Sequence, residues 1–240
     1  MAVVTPYGSY ELPQNAVNLQ ALAAQAGADA SSLQLVIQIH LDAEALKLAA
    51  SKGHRALQAV NYTVTVKSDN GKTLTLDTFN SYVKRTISLQ PTERTSSLAV
   101  VRLDGPTGNV YTPVPFKVNG QGVDIYSRSN STYLVLQHAV TFEDIASHWS
   151  KQDVESLAAK MIVSGRSEHA YVPSAPVTRA EFTALIVRAL GLSSTTGTAS
   201  FQDVASTDWH AGTIQAAVQA GIVNGYADGT FSPGQTITRE

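Results

Sequence analysis

The chain has 240 residues, of which 43% are hydrophobic and 15% charged, so it can fold into one large or two ordinary domains and is not disordered. A net charge of -2 and a pI near 6.3 argue against nucleic acid as the main partner. The absence of cysteine excludes disulfides, thiolate zinc sites and cysteine nucleophiles. No apolar run reaches the roughly 18 residues that span a bilayer, so we expect no membrane insertion.

The first residues, Met1 to Val4, lack the basic and then apolar start of a signal peptide. If the protein is exported, we expect this sequence to be a fragment from which the signal peptide is missing. Zero cysteines fit an exported bacterial protein.

Residues 8–139 have mostly the pattern of strands, with short helices near the start. Asn18 is placed to cap a helix that ends at Gly27, and Asp42 to cap a second helix that ends at Gly53. Between them, residues 31–41 alternate apolar and polar side chains, which is typical of a half-buried strand.

Three turn sequences then separate further strand patterns, at residues 68–71, 104–108 and 119–122. Repeated hairpins with few helices predict an antiparallel, sandwich-like domain over residues 1–140. With the helical patterns that follow from Thr141, the predicted fold class is α+β.

An internal repeat becomes visible when Trp149 is aligned with Trp209. The same offset of 60 relates five further pairs: Ile162 and Ile222, Val163 and Val223, Gly165 and Gly225, Pro173 and Pro233, and Thr178-Arg179 and Thr238-Arg239. Phe142 and Asp144 match Phe201 and Asp203 at an offset of 59. A repeat of this length predicts one supersecondary unit that stacks on its copy.

Each copy is predicted to contain a helix that starts near its tryptophan, a glycine-containing loop and a second helix that starts at the Thr-Arg pair. We place the first repeat at residues 141–192, a linker at 193–199 and the second repeat at 200–240. Glu240 aligns with Ala180, so the second Thr-Arg helix is missing and we expect a truncated second repeat.

The helix that begins after Thr178 carries the clearest signals in the chain. Thr178 and Glu181 have the spacing of a capping box, and Gly191 stands where a left-handed C-terminal cap belongs. Its apolar residues recur at helical spacing, at Phe182, Leu185, Ile186, Ala189 and Leu190, and Val187 widens the apolar face. We therefore expect this helix to be buried on most sides. Arg179 lies beside first-turn N–H groups expected to be free, an arrangement that suits an anion.

These residues resemble S-layer homology (SLH) repeats of Gram-positive surface proteins. The resemblance rests on Phe142-x-Asp144 with His148-Trp149, on residues 161–165, on Val177-Thr-Arg-Ala-Glu181, and on the matching segments Phe201-x-Asp203, Trp209, Gly221-Ile-Val-Asn-Gly225, Asp228-Gly-Thr-Phe-x-Pro233 and Ile237-Thr-Arg239. Upstream, Asn80-x-Tyr82-Val-x-Arg85 resembles the β-rich region that often precedes such repeats.

The resemblance implies that three repeats form one pseudo-trimer whose grooves hold a secondary cell-wall polysaccharide, often pyruvylated. It implies a non-enzymatic protein that is anchored outside the cell, at the cell wall or S-layer, and that contacts the polysaccharide through Arg179, Glu181 and Arg239. A guanidinium can bind the carboxylate of a pyruvyl ketal through two parallel hydrogen bonds.

Each candidate ligand-binding residue also has a structural alternative. In this alternative the two arginines pair with nearby carboxylates, and Glu181 only caps its helix. Trp149 and Trp209 are candidates for stacking on a sugar, or they anchor the core. Gly165 and Gly225 either let a ligand approach the main chain or serve the backbone alone, while Asp144 and Asp203 are expected to cap or brace helices.

Nothing in the sequence predicts a catalytic residue, a metal or a cofactor. The six histidines show no metal-ligand spacing, and no G-x-S-x-G motif occurs. The leading hypothesis is therefore anchoring to the cell wall. Two alternatives remain: an accessory or catalytic fragment of a surface glycoside hydrolase, and an S-layer self-assembly or adhesion module, for which self-association would be expected.

Overall fold

A computed structural model describes residues 1–93, 97–104, 110–194 and 201–237 of the chain. The chain divides into two compact units, Met1–His138 and Ala139–Glu240, and each unit is described by itself. None of the helices in the described ranges is long and apolar enough to cross a membrane.

In its described residues, the first unit contains eleven β-strands and two α-helices. The strands are β1 (Ala2–Thr5), β2 (Gly8–Glu11), β3 (Gln34–Leu41), β4 (Arg55–Lys67), β5 (Thr73–Thr75), β6 (Thr78–Ser88), β7 (Leu98–Asp104), β8 (Val110–Pro113), β9 (Phe116–Val118), β10 (Gly122–Ser129) and β11 (Thr132–Gln137). The helices are α1 (Leu19–Ala26) and α2 (Ala43–Ser51).

The strands form two antiparallel sheets. One has the order β1-β2-β6-β10-β9, and the other has the order β3-β4-β11-β7-β8, with β5 also paired to β4. One hydrophobic core cluster contains buried residues from both sheets, among them Tyr10, Val64, Val83, Ile125 and Val135. Two sheets that share one core make a sandwich, which confirms the predicted antiparallel fold.

The two predicted helix caps of this unit are confirmed. The Asn18 side chain accepts a hydrogen bond from the Ala21 N–H at 3.1 Å, and that of Asp42 from the Ala45 N–H at 2.9 Å. The hairpins at residues 68–71 and 119–122 are also present. Residues 105–109 lie outside the described residues, although the flanking strands β7 and β8 pair as a hairpin requires.

A buried arginine that sequence reasoning missed lies within the sandwich. Arg85 on β6 has no exposed surface, and no described carboxylate forms an ion pair with it. Its guanidinium donates to main-chain carbonyls of β6 and β10 and to Asn130 Oδ1, and it lies 4.8 Å from the Tyr10 ring centroid. Carbonyl oxygens and aromatic faces therefore replace the water that the charge has lost.

The described part of the second unit contains three α-helices: α3 (Lys151–Ala159), α4 (Arg179–Ala189) and α5 (Ala211–Gln219). The predicted capping box is confirmed, because Thr178 Oγ1 accepts from the Glu181 N–H while the Glu181 carboxylate accepts from the Thr178 N–H. Gly191 has the predicted left-handed conformation, with a φ of 64°.

The predicted buried face of α4 is confirmed at Val187, which is buried, but the other predicted residues are partly or largely exposed. Its buried residues form a stripe of small and β-branched side chains, namely Ala180, Thr183, Ala184 and Val187, whereas Phe182 is 46% exposed. Val187 packs with Ala216 and Ala217 of α5, and small residues allow two helices to approach closely. Thr183 can be buried because its hydroxyl donates to the Arg179 carbonyl at 2.8 Å.

Candidate functional site

The first turn of α4 is bonded to the second repeat. The Arg179 N–H donates to the Gln235 carbonyl at 2.8 Å, and the Ala180 N–H donates to the Pro233 carbonyl at 3.0 Å. Thr178 and Thr236 form an antiparallel bridge beside these bonds. The first-turn N–H groups are therefore occupied, and the prediction that they remain free to receive an anion is wrong.

The Arg179 side chain also contacts the second repeat. It donates to the Tyr226 hydroxyl at 3.0 Å and to the Asn224 carbonyl at 2.6 Å. Its guanidinium lies 4.7 Å from the Tyr226 ring centroid and 4.6 Å from that of Phe231. No carboxylate in the described part of the chain forms an ion pair with Arg179, so the alternative of carboxylate pairing is wrong for this residue.

Asp144 and Asp203 play the same role in the two repeats. Asp144 accepts from the N–H groups of Tyr171 and Val172 at 2.9 and 2.6 Å. Asp203 accepts from those of Phe231 and Ser232 at 2.8 and 2.7 Å. Both carboxylates thus brace a loop about thirty residues further along the chain, rather than a helix as expected.

These bonds shift the ionisation of the carboxylates. Backbone N–H donation from Tyr171 and Val172 lowers the pKa of Asp144. Desolvation opposes ionisation of Asp203. The hydrogen bonds that it accepts from the N–H groups of Phe231 and Ser232 outweigh the desolvation, so its pKa is lowered as well. The braces are therefore present whenever the carboxylates are ionised.

The two glycines are places where an aromatic ring meets the main chain. A Cβ on Gly165 would lie 2.6 Å from Cε1 of Phe142, and one on Gly225 would collide with the ring of Phe201. Each glycine thus lets the phenylalanine of its own repeat pack on the loop. This geometry supports the backbone alternative for both residues.

A groove of about 280 Å³ lies between the repeats. Residues 163–177 and α4 of the first repeat form most of its lining, and Trp209 of the second repeat closes one side. Gly165 and Glu181 line it together with Arg166 and Arg188. The groove thus combines an aromatic wall with charged groups, which is a common composition for ligand sites.

The charges in the groove sum to a positive value. Arg166 forms an ion pair with Glu181 at 2.5 Å, and Arg188 donates to the Ile162 carbonyl at 3.4 Å. The Thr178 N–H lowers the pKa of Glu181 against desolvation, and Arg166 contributes in the same direction, so this carboxylate is ionised at neutral pH. Two guanidinium groups and one carboxylate give a net charge of +1.

The tryptophans are exposed, so the interpretation of both as core anchors is wrong. Trp149 is 84% exposed and Trp209 is 64% exposed. Each precedes its helix, because α3 starts at Lys151 and α5 at Ala211, and therefore neither belongs to a buried helical stripe. Trp209 lines the groove, whereas Trp149 does not.

The structure thus brings three of the candidate residues together in the groove, namely Gly165, Glu181 and Trp209. Arg179 and Gly225 lie at the contact and loop of the second repeat, and Arg239 lies outside the described residues. Arg166 and Arg188 were missed. The repeat held a signal for Arg166, because the offset of 60 places it at the position of Tyr226.

Comparison with known proteins identifies the second unit. Residues 141–183 and 200–240 match the S-layer homology domain family. The C-terminal unit is built of S-layer homology repeats. These repeats are cell-wall-binding modules and not catalytic ones, so the family supports anchoring at the cell surface.

Relatives with these repeats include both enzymes and surface proteins. An amylopullulanase of Thermoanaerobacterium thermosulfurigenes is 41% identical over 138 residues, which are 56% of this chain and 7% of the relative. An exoglucanase of Acetivibrio thermocellus is 45% identical over 107 residues, 44% of this chain and 10% of the relative. A surface layer protein of Brevibacillus choshinensis is 38% identical over 92 residues, 37% of this chain and 8% of the relative.

This chain therefore spans a tenth or less of the length of those three relatives. The enzymatic activities in those names belong to the relatives, of which this chain covers only a tenth or less. No solved structure matches the chain.

The contact between Arg179 and Tyr226 should stabilise the second unit. Both tryptophans belong to this unit, so tryptophan fluorescence during urea unfolding monitors it alone. We expect Arg179→Ala to lower its free energy of unfolding by about 1–2 kcal/mol, because it removes two hydrogen bonds and a cation–π contact. In a double-mutant cycle with Tyr226→Ala, we expect a coupling of at least about 0.5 kcal/mol. Strictly additive effects would contradict the contact.

The braces formed by Asp144 and Asp203 predict a dependence on pH. Since both folded-state pKa values are lowered, their stabilisation is fully present above the ordinary aspartate pKa of about 3.9 and is lost as the pH falls below it. The melting temperature of the second unit should therefore decrease as the pH is lowered below about 4. We expect Asp144→Asn with Asp203→Asn to lower it at pH 7 and to flatten this acid decline.

Glu168→Gln is the matched control, because Glu168 is an exposed carboxylate in the same loop as residues 163–177. It should leave the acid decline as steep as in the unchanged protein. An equally steep decline in the double asparagine variant would rule out the braces as its cause.

Proposed function

We propose that the second unit anchors the protein non-covalently to the bacterial cell wall by binding a secondary cell-wall polysaccharide in the groove beside Trp209. The observation that carries this proposal is an exposed tryptophan that closes a groove containing Arg166 and Arg188. The protein would then be extracellular, at the cell wall or S-layer, with residues 1–140 as a spacer or presentation domain.

The aromatic wall suits a saccharide. A sugar ring has an apolar face of C–H groups that can lie against the broad indole surface, and an aromatic ring offers such area at little cost in conformational entropy. Trp209 is 64% exposed, so its ring is accessible to a ligand before binding. Polar groups around the groove would then fix the orientation of the chain of sugars.

The positive charge suits an acidic saccharide. A pyruvyl ketal exposes a carboxylate, and the fork of donors on a guanidinium can bind both of its oxygens. Arg188 makes one long hydrogen bond, to the Ile162 carbonyl, and keeps donors for such a group. We therefore propose that the polysaccharide is pyruvylated and that Arg188 binds the ketal carboxylate.

Glu181 positions Arg166 in this proposal. One of its oxygens pairs with Arg166, and the other accepts from the Thr178 N–H at 2.9 Å. The side chain of Arg166 remains 49% exposed, so its guanidinium can contact the ligand while it stays paired. Arg179 would act indirectly, since it holds the second repeat and hence Trp209 beside the groove.

Binding to purified cell-wall sacculi tests the site. We expect Trp209→Ala to weaken binding at least about tenfold, which corresponds to 1.4 kcal/mol, through loss of the stacking surface. Trp149→Ala is the matched comparison at the equivalent position of the first repeat, and we expect a clearly smaller loss. Equal losses from the two variants would sink the assignment of the groove.

Two treatments of the sacculi separate the parts of the proposal. Sacculi stripped of their secondary polysaccharide should no longer bind the protein. Sacculi from which only pyruvate has been removed should bind it about as weakly as Arg166→Ala with Arg188→Ala binds untreated sacculi. Undiminished binding after removal of pyruvate would reject the pyruvyl ketal while leaving the anchoring role in place.

A further inference from the structure

The strand β3 is an open edge of the six-stranded sheet in the first unit, and it is unusually long. It has eight residues, whereas the other edge strands β1, β8 and β9 have four, four and three. Natural proteins blunt exposed edges with short strands, charges, proline or bulges. β3 has none of these: it contains no Asp, Glu, Lys, Arg or Pro, and its register with β4 runs unbroken from Gln34 to Leu41.

One hydrogen bond at the end of β3 shows which of its residues turn their N–H and C=O groups toward the open edge. The Asp42 N–H donates to the Ala59 carbonyl at 3.0 Å and continues the register in which Leu41 faces Val60. In an antiparallel pair, hydrogen-bonded and non-hydrogen-bonded positions alternate. The even-numbered residues of β3 therefore bond to β4, and the odd-numbered ones point their N–H and C=O groups outward: Leu35, Ile37, Ile39 and Leu41.

These outward groups form a row ready to pair with another strand. Across the described part of the chain, no hydrogen bond reaches the main chain of these four residues from the open side. Their side chains belong to the face of β3 that packs on the core, except that Leu41 remains 44% exposed. An added strand with apolar residues at the matching positions would extend the core and cover Leu41.

We propose that β3 pairs antiparallel with β3 of a second copy of this chain, about a two-fold axis at Gln38. In this register Leu35 faces Leu41 and Ile37 faces Ile39, so every outward N–H and C=O of both strands is paired. On the other face Gln38 meets Gln38, Val36 meets His40, and Gln34 meets the partner's Asp42. No like charges oppose each other.

A second copy is favoured because the strand complements itself. An uncharged edge cannot select a different partner by charge. The choice of partner therefore depends on the matching of apolar side chains and on main-chain hydrogen bonds. A two-fold axis at Ile37 would also match faces, but it would leave Leu41 without a partner within the strand. The axis at Gln38 uses all four outward residues. This pairing is independent of the groove in the second unit, so its failure would leave the proposed anchoring untouched.

Single cysteines test the register directly, because the full chain has no cysteine. Facing residues at a non-hydrogen-bonded antiparallel position have Cα atoms about 4.5 Å apart, within the range that a disulfide spans. We expect Gln38→Cys to form disulfide-linked dimers under mild oxidation at least tenfold faster than Gln34→Cys, whose exposed residue faces Asp42 instead. Equal rates for the two variants would overturn the register.

Lysine variants at the same two exposed positions test the association by light scattering of the full chain. The unchanged protein should show a concentration-dependent dimer. Gln38→Lys places two lysines opposite each other and should raise the dissociation constant at least tenfold, whereas Gln34→Lys faces the partner's Asp42 and should not. A protein that stays monomeric at all concentrations would overturn the proposal and leave this edge to a strand of another protein.

Discussion

The joint between the first turn of α4 and the second repeat is the interaction on which the candidate site depends. Two main-chain hydrogen bonds and the Arg179 side chain tie this turn to residues 224–235. The two repeats thus share main-chain bonds in addition to packed side chains. Because the second repeat is held there, Trp209 can close a groove whose other walls belong to the first repeat.

This joint changes what the start of the helix does. A helix N-terminus with an adjacent arginine has the chemistry of an anion site, but here carbonyl oxygens of the second repeat take the place of the anion. The guanidinium of Arg179 lies against aromatic rings and has no carboxylate partner among the residues described. Positive charge available to a ligand is contributed instead by Arg166 and Arg188, within the groove.

Local signals in the sequence predicted local structure well. The capping box at Thr178, the caps at Asn18 and Asp42 and the hairpin turns depend on neighbouring residues, so their patterns could be recognised without the fold. The predictions that failed depend on contacts between residues that are far apart in the sequence. The buried stripe of α4 is decided by how closely α5 approaches, and the exposure of the tryptophans by a helix start two residues later than expected.

Charged residues whose surroundings come from distant parts of the chain were also difficult to predict. Burial of Arg85 depends on carbonyl groups of a neighbouring strand and on rings from three other segments, and no spacing along the chain reveals that arrangement. The sequence did hold a signal for Arg166, because the offset of 60 places this arginine where the second repeat has Tyr226. Under the proposed function, this departure between the two copies marks the binding site as usefully as their agreement marks the fold.

The chain's two tryptophans offer the most direct test of the groove, because their indole N–H groups give two separate NMR signals. On titration with soluble secondary cell-wall polysaccharide, the Trp209 signal should shift and that of Trp149 should stay in place. A shift of Trp149 alone, or of neither signal while binding is otherwise evident, would contradict the groove as the site.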